Sequence, residues 1–152
     1  EAAREEADAE VRRRLVEAAV DGAEVVVPAG LVERELDVMV HSLTRDLEAQ
    51  GVTLDRFLAE TKRTLEGLRA EWRPRAERRV KTDLVLKAIA RAEGIQPSRE
   101  EEDERARQLF PQAAGKLSER QRRALRQALT LERATDFLVA HARIQDRVLP
   151  PR

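Results

Sequence analysis

The chain has 152 residues, and 29 lysines and arginines balance 29 aspartates and glutamates, so no bulk charge attracts nucleic acid or an anionic membrane. Charged residues make up 38% of the chain and aromatic residues 3%, a composition typical of a heavily solvated helical protein. The absence of cysteine excludes disulfides and thiolate chemistry, and no apolar run approaches the roughly 18 residues that span a bilayer.

The first predicted helix covers about residues 3–19, and the opening EAAREEADAE has no signal-peptide character. Because the sequence starts inside a helix-forming charge run, we expect it to be a fragment of a longer chain. The next stretch, residues 25–27, consists of valines and ends at Pro28. Proline disfavours helical geometry in the residue before it and suits the first turn of a helix, so a joint is expected here.

A second helix is predicted from about residue 31 to residue 50, because apolar residues recur along it at steps of three or four. These residues are Val32, Leu36, Met39, Leu43 and Leu47, and Val38 and Val40 widen the face. Gly51 supplies the C-terminal stop, and Thr53 then caps a short helix that contains Phe57 and Leu58.

A long helix is expected from Thr64 to about residue 92. Pro74 lies inside it and should kink or divide it, since proline removes one backbone donor and clashes with the preceding turn. The stretch DLVLKAIARA within this helix is apolar around almost its whole circumference. A helix of this kind must be covered on several sides, so we expect it to be the central one.

Two further helices complete the predicted fold. Ser98 or Pro97 begins a very acidic helix that stops at Pro111, and the last helix covers about residues 118–147. Residues 69–81 carry six positive and two negative side chains, and residues 116–126 carry five and one. We expect basic faces there, with interleaved glutamates pairing with the arginines at helical spacing.

Few residues could carry catalysis. His41 and His141 each lack a second histidine or cysteine at ligand spacing, so a zinc site is not expected. The acidic run at residues 100–104 points in different directions around a helix and is best explained as a solvated face. The glycines make no phosphate-binding loop, and the serines lack a nearby base. We therefore predict no enzyme activity, no cofactor and no metal.

Two functional alternatives remain beside protein binding. A helical nucleic-acid-binding module could align the arginines of RAEWRPRAERRVK and KLSERQRRALR against phosphates, although zero net charge and the absence of tyrosine weigh against it. A structural or oligomerisation module would use every apolar face as core or interface. Wide apolar faces rimmed by charge favour a protein-binding surface, and the basic stretches have too few bulky apolar residues for membrane binding.

The order of the segments resembles the C-terminal domain of trigger factor, a family of ribosome-associated bacterial chaperones. The matching segments are VVVP with the acidic helix after it, the QG turn with FLAET, AERRVKTDLVLKAIARAEGI, and LERATDFLVAHARI. The resemblance implies an all-α fold with an elongated multi-helix body and two projecting helical arms. It implies a cytoplasmic, ATP-independent chaperone that holds unfolded or nascent polypeptides between these arms.

The resemblance also implies a division of the chain. Residues 1–152 would form one chaperone domain, with a linker helix at 1–24, an arm at 25–63, the central body helix at 64–95, and the second arm with the closing helix at 96–152. The ribosome-docking N-terminal domain and the peptidyl-prolyl isomerase domain would be absent, so the ribosome would be bound only through a missing part. A second copy of the chain is a further candidate partner.

The residues expected to contact clients are apolar and lie on the two arms. They are Met39, Leu43, Leu47, Phe57 and Leu58 on one arm, and Leu109 and Phe110 on the other. Met39 suits varied partners because its thioether is flexible. We assign the apolar residues of the long helix to structure, and we expect client contacts that are individually weak and spread over several patches.

Overall fold

The computed structural model describes the backbone of residues 2–112 and 114–148 and the side chains of residues 5–112 and 115–142. Over these residues the chain forms α-helices, one 3-10 helix and no strand, which confirms the predicted all-α class. The helices are α1 (Ala2–Gly22), α2 (Ala29–Ala49), α3 (Leu54–Glu60), α4 (Leu65–Ala92), α5 (Arg99–Leu109) and α6 (Glu119–Val148), and the 3-10 helix is Ala114–Lys116.

The chain divides into two compact units. The inserted unit is Glu24–Thr82 and contains α2, α3 and the first part of α4. The terminal unit consists of Glu1–Ala23 and Asp83–Arg152 and contains α1, the rest of α4, α5 and α6. Both units therefore contribute residues to one continuous helix, α4.

The helix starts follow the predicted caps. The side chain of Thr53 accepts a hydrogen bond from the backbone amide of Arg56 over 3.2 Å at the start of α3. Ser98 begins α5 with a reciprocal pair of bonds, in which its hydroxyl accepts from the Glu101 amide and the Glu101 carboxylate accepts from the Ser98 amide. Pro28 precedes α2 with an extended backbone, as predicted for the joint.

Three helices end with a residue in the left-handed region. Gly51 after α2 and Gly94 after α4 have φ of 72° and 63°, so the predicted stops are confirmed. After α4 the backbone amide of Ile95 donates to the Ala90 carbonyl oxygen over 2.8 Å, which folds the chain back over the last turn. Lys62 takes the same position after α3 with φ of 53°, at a steric cost that glycine avoids.

The helix α4 continues through Pro74, so of the two outcomes predicted there, a kink or a division, the division does not occur. Proline removes one backbone donor from the helix. Buried apolar side chains lie on both sides of it, with Leu68 before Pro74 and Ala76 after it. Burial of these neighbours keeps the two halves in one helix despite the missing hydrogen bond.

The terminal unit contains two small clusters of buried side chains. The first joins α4 and α6 and consists of Leu86, Ala90 and Ala134. Val16 of α1 packs against this cluster. The second joins α5 and α6 and consists of Ala106, Leu125 and Leu129.

Candidate functional site

The apolar stripe of α2 supplies the core of the inserted unit. Val32 and Leu36 are almost completely buried, and the predicted contact residues Met39 and Leu47 are only 7% and 8% exposed. Leu43 lies between them and is half-buried. In this conformation the protein itself covers most of the stripe, and Leu43 is its most accessible predicted contact.

A groove between α2 and α4 nevertheless reaches two of these residues. Its volume is about 200 Å³, and its lining residues are Met39, Ser42, Leu43, Asp46, Trp72, Arg75 and Arg79. The groove places the predicted contacts Met39 and Leu43 beside an aromatic ring, Trp72, which the sequence analysis did not assign to the site. The sequence offered a sign of this role, because Trp72 is the single tryptophan of the chain and lies within the predicted long helix.

The acidic side chains of α2 pair with the arginines of α4. The pairs are Glu33 with Arg69 at 2.8 Å and with Arg73 at 2.5 Å, Asp37 with Arg69 at 2.7 Å, and Glu35 with Arg79 at 2.9 Å. The hydrogen bonds from Arg69 and Arg73 hold the pKa of Glu33 below its ordinary value. The same arrangement raises the pKa of Arg69, chiefly through its bond to Asp37.

These pairs correct the expectation that the arginines of residues 69–81 meet glutamates at helical spacing. Three of the six cations in this stretch, Arg69, Arg73 and Arg79, instead meet carboxylates 32 to 44 residues earlier in the chain. A cation that already pairs with a carboxylate gains little from a phosphate. Half of the cations in the basic stretch on α4 are therefore already paired within the protein.

The predicted contacts on α3, Phe57 and Leu58, are both half-buried. The Phe57 carbonyl oxygen accepts a hydrogen bond from the Thr61 hydroxyl over 2.7 Å, which helps to end this short helix. Neither residue lines the groove beside Met39. The structure therefore places these two residues apart from the α2–α4 groove, although in the same unit.

The remaining predicted contacts, Leu109 and Phe110, lie in the terminal unit where α5 ends. Their side chains are 55% and 44% exposed. The other large exposed apolar residues in the described part of the chain are Val11, Val26, Val38 and Leu65. Of these six exposed residues, Leu109 and Phe110 are the two that are neighbours in the sequence, so together they offer more apolar surface than any of the others alone.

A second and larger groove lies within the terminal unit, with a volume of about 770 Å³. Its apolar lining is contributed by Ala90, Ile95 and Pro97, and its cationic lining by Lys87, Arg91, Arg99 and Arg126. Of these residues, only Arg126 was a predicted contact, as one of the arginines of KLSERQRRALR in the nucleic-acid alternative. They come from three separate helices and one turn, and no local pattern links them.

One carboxylate, Glu102, lines this groove and is almost completely buried, with 3% of the residue exposed. It accepts two hydrogen bonds from the guanidinium of Arg126, which hold its pKa below the ordinary value against the opposing effect of burial. A buried charge requires a partner of this kind, so Glu102 fixes the position of Arg126 at the groove.

The histidines do not form a site in the described structure. His41 is exposed, and the ring of His141 lies 4.2 Å from that of Phe137, one helical turn away. Among the described side chains, no group of three or more histidines and carboxylates is placed to hold a metal ion. None of the described helices is both long enough and apolar enough to cross a membrane.

Comparison with known sequences gives consistent matches. A family model described as "Bacterial trigger factor protein (TF) C-terminus" matches residues 1–140. The trigger factor of Moorella thermoacetica is 41% identical over 162 residues, which cover all of this chain and 34% of the relative. That of Pelotomaculum thermopropionicum is 40% identical over 152 residues, covering 95% of this chain and 35% of the relative.

A solved structure of trigger factor domains from Thermotoga maritima matches with a TM-score of 0.59 and 23% sequence identity. The match covers 85% of this chain and 79% of that structure, and it supports the fold. The chain spans about a third of the length of the curated relatives.

Proposed function

The chain belongs to the family of bacterial trigger factor C-terminal domains, and we propose that it is an ATP-independent chaperone domain for unfolded or nascent polypeptides. The observation that carries the proposal is the adjacent, exposed pair Leu109 and Phe110. We place this activity in the cytoplasm and assign neither ribosome contact nor prolyl isomerisation to residues 1–152.

The exposed pair would act through burial of apolar surface. Full burial of a leucine or phenylalanine side chain stabilises a complex by about 1.5–3 kcal/mol, and about half of each side chain is still available for burial. The cost of ordering a flexible client offsets most of this gain. A single patch therefore binds weakly and reversibly, and several patches on one client are needed for effective binding.

We propose that the α2–α4 groove is a second patch, with Leu43 as its first point of contact. Met39 opens onto the same groove, whereas Leu47 is covered, so Leu47 would contribute only if the groove widens. Phe57 and Leu58 would add half-buried surface elsewhere on the inserted unit. Dispersed patches of this kind suit clients that have no common sequence.

The experiment is suppression of aggregation of a chemically unfolded protein by the isolated chain, with the variant Leu109→Ser/Phe110→Ser. We expect the concentration needed for half-suppression to rise by on the order of tenfold, because two apolar contacts are lost. Helical content measured by circular dichroism should stay unchanged, since both side chains are exposed.

Val38→Ser/Leu65→Ser is the matched control, because it removes two exposed apolar side chains that are not adjacent. We expect a shift of less than threefold for this control. Equal suppression by wild type and Leu109→Ser/Phe110→Ser would contradict the assignment of the pair. NMR titration with a permanently unfolded client should shift the resonances of residues 109 and 110, and then those of Leu43 and Trp72.

A further inference from the structure

The groove of the terminal unit carries positive charge that the described residues neutralise only in part. Lys87 and Arg91 lie one turn apart on α4, and Arg99 is the first residue of α5. Lys87 and Arg91 form no hydrogen bond or ion pair with another described side chain, whereas Arg99 interacts electrostatically with Asp103 of its own helix. Side chains of the same sign one turn apart weaken a helix slightly, so the arrangement has a cost within the free protein.

This surplus differs from the usual arrangement in the chain. Several arginines elsewhere in the described chain meet a carboxylate of a neighbouring helix, as Arg69 meets Glu33 and Arg122 meets Asp103. In the groove the single carboxylate, Glu102, is already bound to Arg126. Lys87 and Arg91 therefore remain available to an anion from outside, and Arg99 shares its charge with Asp103.

The floor between these cations is apolar and fixed. The bond from the Ile95 amide to the Ala90 carbonyl holds Ile95 over the end of α4, and Ala90 belongs to the buried cluster beneath. The hydroxyl of Ser98 already accepts from the first turn of α5, so cationic side chains rather than free helix amides make the groove positive. Rigid apolar floors between charged rims are typical of peptide-binding sites.

We propose that this groove binds stretches of unfolded polypeptide in which acidic residues alternate with small aliphatic ones. Carboxylates of the client would pair with Lys87, Arg91 and Arg99, and aliphatic side chains would lie on the floor formed by Ala90, Ile95 and Pro97. The proposal rests on the proposed function and names a client class for it. A volume of about 770 Å³ accommodates a few residues of an extended chain.

Nucleic acid fits this groove less well. Single strands are held by bases stacked on aromatic side chains, and the lining contains no aromatic residue. The buried carboxylate of Glu102 would also repel a phosphate placed beside Arg126.

The test is fluorescence anisotropy with a labelled, unstructured peptide of alternating glutamate and alanine or valine, and with the same peptide carrying glutamine at each glutamate. The isolated chain should bind the glutamate peptide at least tenfold more tightly at low salt, and about 0.3 M salt should abolish most of the difference. The variant Lys87→Gln/Arg91→Gln should weaken binding of the glutamate peptide by on the order of tenfold.

Arg120→Gln/Arg123→Gln is the matched control, because it removes two exposed cations from α6 outside the groove. Its affinity for the glutamate peptide should stay within twofold of wild type. Equal affinity for the two peptides, or a Lys87→Gln/Arg91→Gln variant that binds like wild type, would overturn the proposal. Tighter binding of single-stranded RNA than of the peptide, lost in the same variant, would assign the groove to nucleic acid instead.

The two proposals fail separately. If neither peptide binds but Leu109→Ser/Phe110→Ser still loses suppression of aggregation, the chaperone proposal stands and the acidic-client groove is refuted. If the glutamate peptide binds through Lys87 and Arg91 but the chain suppresses no aggregation, the groove is supported and the chaperone proposal is refuted.

Discussion

Each unit packs an acidic helix against an arginine-rich one, but the two pairs are held by different forces. In the inserted unit, α2 buries four apolar side chains, and its carboxylates pair with α4 at a more exposed rim. In the terminal unit, α5 buries only Ala106 and the charged Glu102. Its other links to α6 include ion pairs of Glu101 with Arg133, of Asp103 with Arg122 and of Arg105 with Glu132.

The difference indicates that the two pairs respond to different conditions. Burial of apolar surface is nearly independent of salt and pH, so α2 should stay packed over a wide range of solution conditions. Ion pairs at the surface weaken with salt and with protonation of the carboxylates. The position of α5 should therefore depend on the solution, and with it the groove that Glu102 and Arg126 line.

The largest expected effect on stability is in the inserted unit, where apolar side chains hold α2 against α4. Leu36 is completely buried, and Leu36→Ala should lower the free energy of unfolding by about 3 kcal/mol through lost burial and a cavity. Chemical denaturation measures the loss, which should be the same at low and high salt. Val38→Ala, at an exposed position of the same helix, should change stability by less than about 0.5 kcal/mol. If the loss of unfolding free energy in Leu36→Ala became smaller at high salt, the two helix pairs would not differ in the force that holds them together.

The next largest effect on stability is in the terminal unit, where ion pairs link α5 to α6. Arg126→Ala leaves the buried carboxylate of Glu102 without its partner and should lower the melting temperature, although less than the loss of a fully buried pair would, because Arg126 itself is half exposed. Arg73→Ala should lower the melting temperature less, since Glu33 is only half-buried and keeps its bond to Arg69.

Thermal denaturation of the two arginine variants gives the comparison. Adding Glu102→Gln to Arg126→Ala should restore much of the loss, because a neutral amide is less costly to bury than a lone carboxylate. Equal losses in Arg126→Ala and Arg73→Ala would show that burial of Glu102 has no energetic weight.

A smaller effect is expected from acid. Bonds from Arg126 and Arg122 hold the pKa values of Glu102 and Asp103 below the ordinary 4.5 and 3.8. Because the folded-state pKa values are lowered, this stabilisation is complete above the ordinary values and is lost as the pH falls through the folded-state ones. Backbone amides of α5 should then exchange with solvent on the order of tenfold faster at about pH 3 than at pH 6, after correction for intrinsic rates.

Amides of α2 should change less over the same range. The pKa of Glu33 is also lowered there, but apolar burial continues to hold the helix when this carboxylate is protonated. Glu102→Gln should remove most of the acid sensitivity of α5. If the amides of α2 lose protection at a higher pH than those of α5, ion pairs rather than apolar burial hold α2 in place, and the proposed difference between the two units is wrong.

Local features of the fold could be predicted from the sequence because neighbouring residues determine them. The stops at Gly51 and Gly94 and the cap at Ser98 depend on backbone groups within one turn, and the structure confirms all three. The partners of Arg69 could not be predicted in this way, since Glu33 and Asp37 lie 36 and 32 residues away. Helical periodicity contains no information about which helix lies opposite.

The candidate site was predictable to the same extent. Periodicity identified the α2 stripe, but a covered face and an open one have the same pattern, so the burial of Met39 and Leu47 could not be foreseen. Leu109 is the last residue of an acidic helix with few buried apolar side chains, Phe110 follows it, and the structure leaves both exposed. The cationic groove was missed because three helices and one turn must meet to form it.

The division of the terminal unit into two separated stretches has a consequence for its own synthesis. Arg12 pairs with Asp136 at 2.5 Å, 124 residues later, and Val16 needs partners on α4 and α6. At about 5–20 residues per second, translation leaves α1 without these partners for roughly 6–25 s, whereas residues 24–82 are completed well before the last helix emerges. During this interval the apolar side chains of α1, Val16 among them, have no partners to pack against, so a proposed chaperone domain is itself incompletely folded while it is being synthesised.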